Sequence, residues 1–265
     1  LNIARELKLI LTSQEEDLIR QIPSDNLMAF DYYLMGIQNE SELKWNKAIE
    51  MFTKAVELDS EFTLAFVKRA SLYSSVYFTK GDYFYGDFSS FNLLAKADLE
   101  KALKIDPDLP EVKFEKAEQL YRFDRNHDEA LSILDELKPQ MPNNPSYFSL
   151  RGYVLRRKGR WEESLVDQQR AIILDPLDPM NYIEIANTYR LLRNYSVADY
   201  YYRKVNTSDM SDSSGFEHFL GILHWKGDLN EAALNSPMSV SDLGKNPFLS
   251  RNYFYYSRQF DKLIG

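Results

Sequence analysis

The sequence predicts an all-α chain, an α-solenoid of stacked antiparallel helix pairs. Two residue series and one shared interruption predict it. Small residues recur at Gly36, Ala70, Ala117, Gly152 and Ala186, at intervals of 34, 47, 35 and 34. The residues that close each unit, Ser60, Pro107, Pro142 and Pro176, recur at intervals of 47, 35 and 34. Both series step over one segment by the same 13 extra residues, since 47 is 34 plus 13. A fixed period of this length is the signature of an array whose unit is one supersecondary element.

Each unit then reads as helix A, a short turn and helix B. The chain opens with NIARELKLIL at 2–11, amphipathic, followed by Ser13 and Glu16 in capping-box spacing. Residues 1–28 are expected to form capping helices that cover the open face of the first repeat, as solenoid ends require. The first repeat places Tyr32, Gly36 and Asn39 on helix A, then Ala48, Phe52 and Ala55 on helix B. The second places Phe66, Ala70 and Tyr73, then Ala95, Leu99 and Ala102. The third is weaker, with Ala117 and Leu120, then Ala130, Leu134 and Leu137. The fourth gives Phe148, Gly152 and Leu155, then Ser164 and Ala171. The fifth gives Tyr182, Ala186 and Tyr189, then Ala198, Tyr202 and Val205.

The small residues let the two helices of a pair approach closely, and the larger ones at three- and four-residue spacing fill the groove between them. Asp106-Pro107 and Asp175-Pro176 end helices, because the residue before proline avoids the α region. From the small position of helix A to that of helix B the count is 12 in the first, fourth and fifth units. It is 13 in the third and 25 in the second. The long stretch VYFTKGDYFYGDF at 76–88, with six aromatics, is therefore an insertion between helices A and B of one repeat. Beyond residue 209 the period fades. Residues 210–265 read as a degenerate sixth repeat and the start of a seventh, cut inside its helix B.

The chain resembles the tetratricopeptide repeat family over residues 29–209, whose pattern is W-x2-L-G-x2-Y, then A-x3-F, then P. Departures are Lys113 in an aromatic position, Gln168 in the Phe position and Ser60 in the Pro position. The resemblance implies a right-handed superhelix whose concave face, lined by helix A, holds a peptide or a partner domain. The side chains it assigns there are Tyr33, Ile37, Phe114, Tyr121, Tyr153, Arg156, Asn187 and Arg190. The family's two-carboxylate clamp needs Lys and Asn on the first helix A. Tyr33 and Ile37 stand there instead, so a chaperone-tail partner is not expected. Residues 3–36 resemble, more narrowly, the entry into the repeat regions of bacterial multidomain signalling proteins. That implies the docking or regulatory part of a larger protein, and both chain ends read as those of a piece of one. The alternative is self-association into a homo-oligomer that controls an upstream effector domain.

Composition bounds the chemistry. Net charge is −8 and the pI is near 5.1, against a nucleic-acid surface, which needs a basic stripe. No run approaches 18 consecutive apolar residues, so no membrane span is expected. There is no Cys, hence no disulfide and no thiolate chemistry. The run DRNHDE at 124–129 mimics the start of a calcium loop but has Glu129 where glycine is required. Nucleotide, hydrolase and metalloprotease motifs are missing. The reading is a non-enzyme with no cofactor and no metal, soluble, the cytoplasm preferred over the periplasm.

Overall fold

The computed structural model describes residues 24, 26–81 and 89–205. Among them run ten α-helices and no strand: α1 (Leu27–Ser41), α2 (Trp45–Leu58), α3 (Thr63–Gly81), α4 (Ser89–Ile105), α5 (Pro110–Gln119), α6 (His127–Leu137), α7 (Pro145–Arg157), α8 (Trp161–Leu174), α9 (Pro179–Leu191) and α10 (Tyr195–Tyr202). A π-helical turn, Leu120–Asp124, follows α5 directly. Compactness divides the chain into two units, Leu1–Lys158 and Gly159–Gly265.

In the first unit α1 pairs with α2, α3 with α4 and α5 with α6, and consecutive pairs pack on one another. The small residues explain the pairing. Gly36, Ala48, Ala70, Ala95, Ala117, Ala130 and Gly152 are all buried. At Gly36 the approach is closest: a Cβ there would stand 2.4 Å from Phe52 Cε1, and Phe52 is itself fully buried. One core gathers Ala55, Phe62, Phe66, Leu99 and Val112 from four helices and the turn before α3. A second holds Ala48, Phe52 and Leu72. Two ion pairs tie neighbouring helices. Arg69 donates two bonds of 2.7 Å to the Asp98 carboxylate and a third of 3.1 Å to Thr53 Oγ1. Arg151 reaches Asp135 at 2.7 and 2.9 Å. Arg69 and Arg151 each stand one residue before a small position, and Thr53 and Asp135 each stand five after one. The two clamps thus obey the same period.

In the second unit Ile183, Ala186, Ala198, Tyr202 and Val205 form the core between α9 and α10. Gln168, the departure in the Phe position, is buried there and accepts a 2.9 Å bond from the equally buried Thr188 hydroxyl. A polar pair has replaced an aromatic plug.

Helix starts are fixed by side-chain caps. Asn26, Asn126, Asn144, Asp178 and Asn194 each accept from a backbone N–H in the first turn of the following helix. Asp106 and Asp175 accept from the two backbone N–H groups that follow their prolines, closing the turn between repeats. The A-to-B turns use a left-handed residue: Leu43 at φ 58°, Arg125 at 52°, Gly159 at 73° and Arg193 at 59°.

Two sequence expectations meet the structure only in part. Helices α3 and α4 have 19 and 17 residues against 15 and 14 in α1 and α2, so helix absorbs part of the insertion. Residues 82–88, which hold most of its aromatics, lie outside the described residues. Of the expected capping helices only Ser24 and 26–28 are described. Ser24 Oγ donates to Asp59 at 2.5 Å and Asn26 Nδ2 to the Leu58 carbonyl at 3.0 Å, so the chain enters α1 tied to the end of α2. The remaining capping residues and everything beyond 205, including the degenerate sixth and seventh repeats, lie outside the described residues.

Candidate partner-binding face

The eight residues assigned to the concave face separate into three groups. Tyr33 and Ile37 belong to the core of the first repeat. The Tyr33 ring lies 5.0 Å from Phe62, 5.7 Å from Phe52 and 6.4 Å from Phe30. Burial, reinforced by the Glu111 and Glu40 carboxylates, pushes its hydroxyl up to about 12. Ile37 packs against the cluster of Ala48, Phe52 and Leu72. Asn187 and Arg190 lie in the second unit. Asn187 is 6% exposed, and its Oδ1 accepts a 3.0 Å bond from the Tyr202 hydroxyl. Arg190 is half-buried in the last turn of α9.

The third group comes together. Tyr121, in the π turn, and Tyr153, on α7, have ring centroids 6.3 Å apart. The Arg156 guanidinium sits over the Tyr153 ring at 5.5 Å. All three are half-buried, as is Phe114 one helical segment earlier. The sequence placed these residues in two consecutive repeats, and the packing of α6 on α7 joins those repeats.

The sequence did not foresee the groups that frame this row. His127, first residue of α6, lies 5.6 Å from the Tyr121 ring. Burial, then the Arg157 and Lys158 charges, lower its pKa; Asp128 opposes them and Arg125 adds to them. Beneath the row the Glu118 carboxylate pairs with Arg122 at 2.7 Å. Glu115 is buried at 1% exposure, and Gln119 Nε2 donates to its Oε1 at 2.9 Å and to the Ala95 carbonyl at 3.1 Å. Burial first and Glu118 second push the Glu115 carboxyl well above the usual range. The residues read as a calcium-loop mimic have other partners: Asn126 caps α6, Asp124 pairs with Lys96, and Asp128 pairs with Lys158. Among the described residues no group of three His, Cys, Asp or Glu side chains is placed to hold a metal ion. No described helix is long and apolar enough to cross a membrane.

The buried small residues behind this helix-A face are the arrangement the repeat pattern requires. The family model described as "Tetratricopeptide repeat" matches residues 94–152, which run from helix B of the second repeat to helix A of the fourth. Over that stretch the chain is similar to the tetratricopeptide-repeat family. Solved structures agree on the fold of the repeat array. PilW, a widely conserved type IV pilus biogenesis factor, is 17% identical with a TM-score of 0.60, covering 91% of this chain and 100% of its own. PilF of Pseudomonas aeruginosa is 16% identical with a TM-score of 0.55, covering 89% and 97%. TTC0263, a tetratricopeptide-repeat protein of Thermus thermophilus, is 16% identical with a TM-score of 0.55, covering 74% and 98%. No curated protein matches the sequence. At these identities the solved structures bear on the fold alone, and the repeat fold supports a protein–protein interaction scaffold in general terms.

Proposed function

We propose that this protein is a non-catalytic docking scaffold, which binds a peptide or a partner domain along the helix-A face of its third and fourth repeats. The observation that carries the reading is the half-buried row Tyr121, Tyr153 and Arg156. Rings and arginines that are held in place yet still reach solvent are the usual anchors of protein interfaces. Their rotamers are already restricted by mutual contact, so a partner loses less side-chain entropy on binding them. The likeness of residues 3–36 to bacterial signalling proteins supports a further step: this scaffold is the docking or regulatory part of a larger protein.

The test is a bait experiment with the double variant Tyr153→Ala/Arg156→Ala. The wild-type chain should capture specific proteins from a lysate of its own organism, and the variant should lose them while its thermal unfolding stays cooperative. Equal capture by both chains overturns the assignment of this face.

A further inference from the structure

Cations gather around the same row, in a chain that is acidic as a whole. The run RGYVLRRKGR at 151–160 holds five basic residues and no acid, whereas the chain has 40 Asp and Glu against 32 Lys and Arg. Three of the five are engaged by carboxylates: Arg151 by Asp135, Lys158 by Asp128 and Arg160 by Glu163. Arg156 lies over Tyr153. Arg157 is exposed at the end of α7, and no described carboxylate pairs with it. Arg125 is also exposed, without a described ion pair, on the left-handed residue that ends the π turn. The charges of both act on His127, whose ring is tilted beside that of Tyr121. Two A-to-B turns of adjacent repeats therefore present Arg125 and Arg157 on one edge of the aromatic row.

We propose that this edge, Arg125 and Arg157 flanking His127 and Tyr121, binds an acidic peptide segment, a run of Asp and Glu side chains. The proposal rests on the docking face described above and names the chemistry of its partner. Charge complementarity carries it. An arginine pair beside aromatic rings attracts carboxylates and receives them in fork geometry. The acidic remainder of the chain repels the same peptide, so binding is directed to this edge. The groups that face His127 are Tyr121 and Arg125 from the turn after α5, Asp128 from α6, and Arg157 and Lys158 from the end of α7. Carboxylates brought against this set favour the imidazolium, so bound peptide should raise the His127 pKa.

The probe is a fluorescein-labelled octamer of glutamate, with an octamer of lysine as control, measured by anisotropy at low salt. Wild-type protein should bind oligoglutamate in preference to oligolysine, with an affinity that falls as salt rises. The double variant Arg125→Asn/Arg157→Glu should lose about tenfold in affinity. Asparagine is chosen at 125 because it tolerates the left-handed conformation, which keeps the turn folded. The His127 imidazole resonance should titrate at higher pH with peptide present. Failure of the wild type to prefer oligoglutamate, or equal binding by the double variant, overturns the acidic-peptide proposal. Either result leaves the docking reading standing if Tyr153→Ala/Arg156→Ala still abolishes capture. If that variant also captures normally, both are overturned.

Discussion

At Gly36 two effects of one methyl group compete. Alanine is the better helix former by about 0.8–1 kcal/mol in an open helix. Here its Cβ would fall 2.4 Å from Cε1 and 2.6 Å from Cδ1 of the Phe52 ring. That ring is fully buried and wedged against Tyr33, so it cannot swing away without disturbing the first-repeat core. Overpacking of this kind costs about 1–3 kcal/mol, which outweighs the propensity gain. Gly36→Ala is therefore expected to lower stability in urea by about 1 kcal/mol. Gly36→Ala/Phe52→Leu should recover much of that loss, and a neutral single variant would show that the ring has room. The small positions were legible in the sequence because a period of 34 can be counted. Asn187 was not. Periodicity says which face of α9 a residue occupies, but not that the Tyr202 hydroxyl from α10 reaches it. Tyr33 shows the same limit: the count gives its place on helix A, but not that the Phe62 ring before α3 lies 5.0 Å from it.

At the scale of one element, a one-residue count becomes a shape. The helix A to helix B spacing is 13 in the third repeat against 12 in the first, fourth and fifth. The structure accommodates the extra residue as the π turn Leu120–Asp124, the wider winding that a single insertion in a helix produces. The left-handed residue moves with it. Leu43, Gly159 and Arg193 lie seven residues after their small positions, and Arg125 lies eight after Ala117. The count was legible in the sequence, but the place where the extra residue is stored was not, because nothing in LYRFD marks a π turn. Leu43 and Arg193 occupy without glycine a conformation that costs an L-residue about 1–2 kcal/mol. Leu43 is 73% exposed, so its side chain contributes little packing to set against that cost. Leu43→Gly should stabilise the chain by about 1 kcal/mol in denaturant unfolding. The reciprocal Gly159→Ala should destabilise by a similar amount. Its Cβ would meet only Trp161 Nε1 at 3.9 Å, so the loss would be conformational and not steric.

At the scale of the whole molecule, an array of this kind is only as stable as the interfaces between consecutive repeats. Glu115 sits at one of them, bonded through Gln119 to the Ala95 carbonyl of the preceding repeat. Its folded-state pKa is raised, by burial first and then by the Glu118 charge, while in the unfolded chain it is an ordinary glutamate. The folded state therefore binds more protons than the unfolded state between those two pKa values, and stability falls as pH rises through that window. Below the ordinary glutamate pKa the contribution is fully present; above the raised value it is lost. His127 has the opposite sign: its folded pKa is lowered, so it costs stability as pH falls through the ordinary histidine range. The two are separable by substitution. Glu115→Gln keeps the oxygen that accepts from Gln119 but cannot ionise. Chemical denaturation of both proteins at pH 5.5 and pH 8 should show the variant gaining on the wild type as pH rises, with His127 and all other groups cancelling in the difference. A stability difference independent of pH would mean that Glu115 keeps an ordinary carboxylate pKa in the folded chain, with Arg122 and Gln119 offsetting its burial.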